Sequence, residues 1–145
     1  MENKIIELRI VTPERVVYSG EIFQATIPTQ VGEVTILPNH RSYIASLKPG
    51  EMVVKKKGGK GEVDLAVAGG FIEFHDNKLV VLADEAERAE EINLEEVEKA
   101  KKRAEDIKNK VIQVDEMEYA RVAATLEMEL AKLKVARHYM RRKSL

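Results

Sequence analysis

Three histidines, four serines, a glycine-rich stretch and an acidic run are the residues of this chain that could do chemistry, and their spacing limits what each can do. His40, His75 and His138 stand far apart, without the short spacings that bring ligands to one metal ion. Ser19, Ser42, Ser46 and Ser144 lack the glycine elbow of an activated nucleophile. There is no cysteine, hence neither a thiolate nor a disulfide. Gly58-Gly59-Lys60-Gly61 lacks the Gly-Lys-Ser/Thr ending and following helix of a phosphate loop; preceded by Lys55, Lys56 and Lys57, it reads as a basic hairpin tip. The eight acids and one base, Arg88, of 84–98 read as a solvated face with a helix start. No constellation meets the geometric demands of catalysis, so no catalytic residue, metal or cofactor is expected and the function should be interaction.

The elements that position these residues fall into two kinds. The chain has 145 residues, 44% hydrophobic and 34% charged, with 24 basic against 25 acidic side chains and a net charge of -1. One domain or two small ones can be built at that length, and no basic field for nucleic acid exists. No secretory pattern opens the chain and no run approaches the roughly 20 apolar residues of a membrane span, so a soluble cytosolic protein, at most peripheral to a membrane, is expected.

All eight glycines and all four prolines precede Phe71. Up to Asp84 short β-branched and apolar runs alternate with turn signals, as an all-β unit requires. The runs are 5–11, 15–18, 21–28, 34–37, 43–47, 52–56, 63–67, 71–74 and 79–82. Turns are expected at Ser19-Gly20, Val31-Gly32, Pro38-Asn39, Pro49-Gly50, Gly58-Gly59, Gly69-Gly70 and Asp76-Asn77, which suggests a sandwich or barrel.

From Ile92 the apolar period becomes helical through Leu94, Val97, Ala100, Ala104, Ile107 and Val111. Asn93 is the expected N-cap, with Glu95 and Glu96 in the first turn. A second helix starts after Asp115, with Tyr119, Val122, Leu126, Leu130 and Leu133 as its apolar stripe, and Ala120, Ala123, Ala124 and Ala131 allowing a close partner helix. The short link 112–114 makes the pair an antiparallel hairpin. From 131–145 there are six bases and no acid. The acidic start of the first helix should therefore attract the basic end of the second, by about 0.2 to 1 kcal/mol per exposed pair, which makes the hairpin a candidate moving part. The fold class is α+β: a β-sandwich domain over 1–84, then a helical hairpin domain over 85–145.

Val11-Thr12-Pro13, Gly32-Glu33-Val34-Thr35-Ile36-Leu37-Pro38-Asn39-His40 and Leu47-Lys48-Pro49-Gly50 occur in that order. They are followed by Ala68-Gly69-Gly70-Phe71-Ile72-Glu73, Asn77-Lys78-Leu79-Val80-Val81-Leu82-Ala83-Asp84 and Glu85-Ala86-Glu87-Arg88. With a helical hairpin carrying Leu133-Lys134-Val135-Ala136, the whole chain resembles the epsilon subunits of bacterial F-type ATP synthases. The resemblance implies a sandwich of about ten strands with a two-helix domain, placed in the central stalk of the rotor. The sandwich would bind the gamma subunit and rest on the c-ring. The helices would fold against it or extend along gamma toward alpha and beta, the extended form inhibiting ATP hydrolysis. The protein would lie at the cytoplasmic face of the cell membrane, attached through the complex.

By the same resemblance Glu33 and His40 face the c-ring loops, with Arg41 adding a charge where the family often has His-x-Pro. Thr35 stands where the family usually has a glycine. Arg121, Lys132, Lys134, Arg137, Arg141, Arg142 and Lys143 would face an acidic segment of beta when the hairpin opens, gaining register and on-rate more than affinity. Some members bind ATP at the hairpin through an Ile/Leu-Asp-x-x-Arg-Ala motif. Here Asn93 replaces the aspartate and Glu96 the arginine, while Met128 and Lys132 stand where second-helix arginines belong, although Arg103 matches a basic position. A carboxylate beside a triphosphate repels it, so ATP binding is expected to be weak or absent. The alternatives are an ATP-sensing module whose hairpin is held closed by nucleotide, and a free-standing sandwich that dimerises through its helices.

Overall fold

A computed structural model describes residues 5–111 and 116–143. Nine strands, two short 3-10 turns and two α-helices follow in sequence. The strands are β1 (Ile6–Val11), β2 (Val16–Thr29), β3 (Gly32–Ile36), β4 (Tyr43–Ser46) and β5 (Gly50–Lys56), then β6 (Glu62–Ala68), β7 (Phe71–His75), β8 (Lys78–Leu82) and β9 (Glu85–Arg88). The 3-10 turns are Lys57–Gly59 and Ala89–Glu91, and the helices are α1 (Leu94–Val111) and α2 (Glu116–Lys143).

The strands pair in the order β4-β7-β8-β1-β2-β5-β6-β9, with β3 added beside β2. Only the β1–β8 pair is parallel. The sheet folds over at β2, whose first half pairs with β1 and whose second half pairs with β3 and β5, across a register shift between Ile22 and Gln24. Alternate residues of both halves then meet in one core: Ile6, Leu8 and Ile10 of β1, Ile72 and Phe74 of β7, Leu79 and Val81 of β8, Met52 and Val54 of β5, and Leu65 and Val67 of β6. Period-2 alternation is what lets one face of each strand reach that core.

Two findings differ from the sequence reading. Ser19-Gly20 is not a turn: Ser19 pairs with Arg9 and Gly20 with Leu8, so the two runs expected there form one 14-residue strand. Continuous pairing with β1 holds Gly20 extended. Glu85–Arg88, placed by composition in the helical part, is a strand paired with β6; its burial pattern shows no apolar alternation, so the ladder and not the side chains makes it a strand. The expected turn at Asp76-Asn77 is present, both residues having positive φ as a two-residue hairpin needs. Gly69 and Gly70 have φ of 71° and 83°, and a Cβ on Gly70 would lie 1.8 Å from the Leu82 carbonyl oxygen, so the β6–β7 turn closes onto the end of β8.

Asn93 caps α1, its Oδ1 accepting the Glu96 amide at 3.2 Å. The helices pack against each other, and Lys108 of α1 lies 5.5 Å from the Tyr119 ring centroid of α2, as an antiparallel hairpin requires. The link 112–114 and Asp115 lie outside the described residues. It is α2 that contacts β5, β6 and the Ala89–Glu91 turn, seating the hairpin on the sandwich.

Candidate functional site

The seam between α2 and the sandwich is built on β6, a strand covered on both faces. Val63, Leu65 and Val67 enter the sandwich core, while Ala66 on the opposite face is fully buried with Ala89 and with Met128, Ala131 and Val135 of α2. Burial on both sides explains the near-continuous apolar run of this strand. The apolar stripe expected for α2 is displaced: Leu133 is buried, but Leu130 is 45% exposed and Tyr119, Val122 and Leu126 are half-buried. Ala131, expected to admit a close partner helix, packs on the sandwich, and Ala120 and Ala124 are exposed.

Charge closes the seam at both ends. Lys132 Nζ lies 3.4 Å from Glu87 of β9 and 3.6 Å from Glu129 on its own helix. Burial acts to lower the Lys132 pKa, but Glu129, Glu87 and Glu85 together outweigh it and the ammonium is held above its ordinary value. Further along α2, His138 Nδ1 meets Glu51 of β5 at 2.7 Å. Arg142 forks onto β6, with Nη1 3.0 Å from Glu62 and Nη2 bonded to Asp64. Asp64 is 3% exposed. Burial raises its carboxyl above the ordinary value; Arg142 pulls it back, Glu51 and Glu62 push it further up, and His138 opposes them. The basic end of α2 is thus bound by strands, and not, as the sequence suggested, by the acidic start of α1. Lone acids inside an apolar run, Asp64 above all, were the signal that this reading passed over.

The proposed partner-facing cations divide accordingly. Lys132 and Arg142 pair with carboxylates of the strands; Arg121, Lys134 and Arg137 are exposed, as are Arg141, which makes an interaction of its own, and Lys143, which lies over the Tyr139 ring.

The stretch corresponding to the family's nucleotide site lines a recess of about 390 Å³ between α1, α2 and β9. Its charged lining is Glu87, Glu91, Glu96 and Glu129 against Lys99, Arg103 and Lys132, with Asn93 among them. Of the four carboxylates, Glu87 and Glu129 are paired with Lys132 and Glu91 with Arg15, which leaves Glu96 beside Lys99 and Arg103.

The β2–β3 turn that precedes Glu33 lies at the Ser46 end of β4, and His40 lies at the Tyr43 end. Glu33 pairs with Pro28 beside the β2–β3 turn, where Gln30 bonds Ser46 and Leu47. His40 is fixed at the Tyr43 end, edge-on to the Tyr43 and Phe74 rings at 5.9 and 5.7 Å. Its Nδ1 lies 2.7 Å from the Arg41 carbonyl, which can only accept, so Nδ1 carries the proton. Arg41 is exposed. Between the two ends Val31 and Ile44 present apolar side chains that are 83% and 70% exposed. Sequence reasoning missed both, because an isolated apolar residue in a turn or an edge strand has no local signature.

Comparison with known proteins resolves what this arrangement belongs to. The family model for the ATP synthase delta/epsilon chain β-sandwich domain matches residues 5–89. The chain belongs to the epsilon-chain family of F-type ATP synthases. It is 37% identical to the ATP synthase epsilon chain of Latilactobacillus sakei over 139 residues, covering 94% of this chain and 96% of that one. Against the epsilon chain of Dehalococcoides mccartyi (strain CBDB1) it is 43% identical over 132 residues, 90% of this chain and 91% of the relative. Among solved structures, a chain of the Euglena gracilis mitochondrial ATP synthase OSCP/F1/c-ring assembly matches with a TM-score of 0.78 at 25% identity, covering 94% of this chain and 83% of that one. A chain of the Tetrahymena thermophila mitochondrial ATP synthase central stalk and c-ring shares the fold, with a TM-score of 0.59 at 19% identity and coverage of 93% and 98%. The family match ends at residue 89, so it includes β9.

A carboxylate in the seam should detach the hairpin without unfolding the sandwich. Ala131→Glu, set against Ala66 and Ala89, is expected to cost docking about 1–3 kcal/mol, the usual cost of burying an unpaired polar group. Trypsin should then cut within 94–143 at least about fivefold faster, since about 1.4 kcal/mol is a factor of ten. An unchanged digestion rate would mean that this seam does not hold the hairpin.

Proposed function

We propose that this chain is a non-catalytic subunit of the central stalk. Its sandwich binds gamma and rests on the c-ring, and its hairpin exchanges the docked position for an extended one along gamma toward alpha and beta, where it inhibits ATP hydrolysis. One observation carries the switching part of this reading. Lys132 and Arg142, two of the cations that the family resemblance assigns to beta, are occupied by Glu87, Glu62 and Asp64 while the hairpin is docked. A charge fixed in one pair cannot serve the other, so docking and engagement of beta exclude each other. Arg121, Lys134 and Arg137, exposed in the docked state, serve the first encounter by electrostatic steering.

For the c-ring we assign Glu33, His40 and Arg41, with Val31 and Ile44 between the two ends as the apolar centre of the contact. His40 acts chiefly by holding the Arg41 loop against Tyr43 and Phe74. None of the helices among the described residues is long and apolar enough to cross a membrane. We assign the chain to the cytoplasmic face of the cell membrane as a peripheral component attached through the ring, a reading that rests on the family resemblance.

The test is ATP hydrolysis by an epsilon-depleted alpha-beta-gamma complex, titrated with the full chain and with a chain ending after Arg88. The full chain should bind and inhibit, and the truncated chain should bind without inhibiting. Equal inhibition by both would remove the hairpin from the mechanism, and binding by neither would remove the chain from the stalk.

The second reading, a hairpin held closed by ATP, is disfavoured by Glu96, a carboxylate in the recess where the family motif has an arginine, and by Lys132, whose ammonium is already paired with Glu87 and Glu129. Calorimetric titration of the full chain with ATP should give no heat of binding below about 1 mM, weaker than about -4.1 kcal/mol. Saturable binding in that range would restore the nucleotide-sensing reading.

A further inference from the structure

The carboxylates beneath the C-terminal half of α2 outnumber the cations that meet them. Glu51 comes from β5 and Glu62 and Asp64 from β6; α2 brings His138 to Glu51 at 2.7 Å and Arg142 to Glu62 at 3.0 Å and to Asp64. With a neutral imidazole, three negative charges face one positive charge. Two of the three carboxylates are strongly shielded from water, the Asp64 side chain being 3% exposed and that of Glu51 9%. The guanidinium does not fully repay its own burial either, because its Nε is buried with no hydrogen-bond partner among the described residues.

We infer that this seam is a proton-sensitive latch: docking α2 over the buried Asp64, with Glu51 and Glu62 beside it, takes up a proton, so the hairpin is held more tightly as pH falls and is released as pH rises. When α2 leaves, Asp64 faces water, where ionisation carries no burial cost and needs no counter-charge. When α2 returns, it removes water from Asp64, and the groups facing that carboxyl are Arg142, Glu51, Glu62 and His138. Burial is the largest influence and raises the Asp64 pKa in the docked state. A group whose pKa is higher docked than free favours docking in full below its free value and loses that contribution as pH rises through its docked value. The latch belongs to the isolated chain and does not depend on what the hairpin binds once released.

Hydrogen exchange of the full chain, read by mass spectrometry from about pH 4, near the ordinary carboxyl value, to about pH 7 with each rate divided by its intrinsic value at that pH, tests the latch. One proton taken up can change the docked population by at most about tenfold per pH unit. Protection of 128–143 should fall across the range, while 78–82 in the sandwich core keeps its protection. Asp64→Asn should abolish the slope, and Glu51→Gln, which removes one of the carboxylates that push Asp64 up, should flatten it. If Asp64→Asn disturbs the sheet, 78–82 will report it and Glu51→Gln carries the test alone. A wild-type slope that is flat or reversed, or one that persists undiminished in both variants, would overturn the latch.

Discussion

Strand β6 has to satisfy two packings at once, and the hairpin depends on the second of them. Its Val63, Leu65 and Val67 complete the sandwich core, while Asp64 and Ala66 on the other face are covered by α2, with Ala89 beside Ala66. An apolar residue such as Met128 or Val135 contributes about 1.5–3 kcal/mol when fully buried, and the alanines contribute less. The seam is small, and Lys132, His138 and Arg142 add partly exposed pairs of modest worth. A docked hairpin on these terms lies within a few kcal/mol of a released one, a range in which differential binding by a partner can shift the population.

The division of cations follows from that seam. The small side chain of Ala131 brings α2 close to the sandwich, and the approach carries Lys132 and Arg142 onto carboxylates of β9 and β6. The residues left outside, Lys134 and Arg137 among them, lie on parts of the helix that face away from the strands. A partner that pairs with the inner cations must first remove the helix, whereas one that reads only the outer cations can bind the docked form. The helix therefore distinguishes between its states by which of its charges water can reach.

Much of this was legible in the sequence. Glycine and proline punctuation located most of the strands because turns such as Asp76-Asn77 and Gly69-Gly70 require positive φ, and Asn93 announced the start of α1 through a cap. Non-local pairing was less visible. Ser19-Gly20 reads as a turn until β1 is known to run beside it, and Glu85–Arg88 is a strand only because β6 offers an edge. The acidic partners of α2 lie about 80 residues before it in the chain, a separation that no helical period reports. Asp64 was the one local clue, a carboxylate in a strand otherwise written for burial.

The central claim is that docking on β6 and inhibition are mutually exclusive uses of one helix. The chain has no cysteine, so paired cysteines at Ala66 and Ala131, which pack in one cluster, can be joined by a disulfide or a short bis-thiol reagent to lock α2 down. The decisive measurement is inhibition of ATP hydrolysis by the locked chain before and after the link is cleaved. The locked chain should bind the alpha-beta-gamma complex as tightly as before and leave hydrolysis uninhibited, with inhibition appearing on release. A locked chain that inhibits as strongly as the released one would contradict the account.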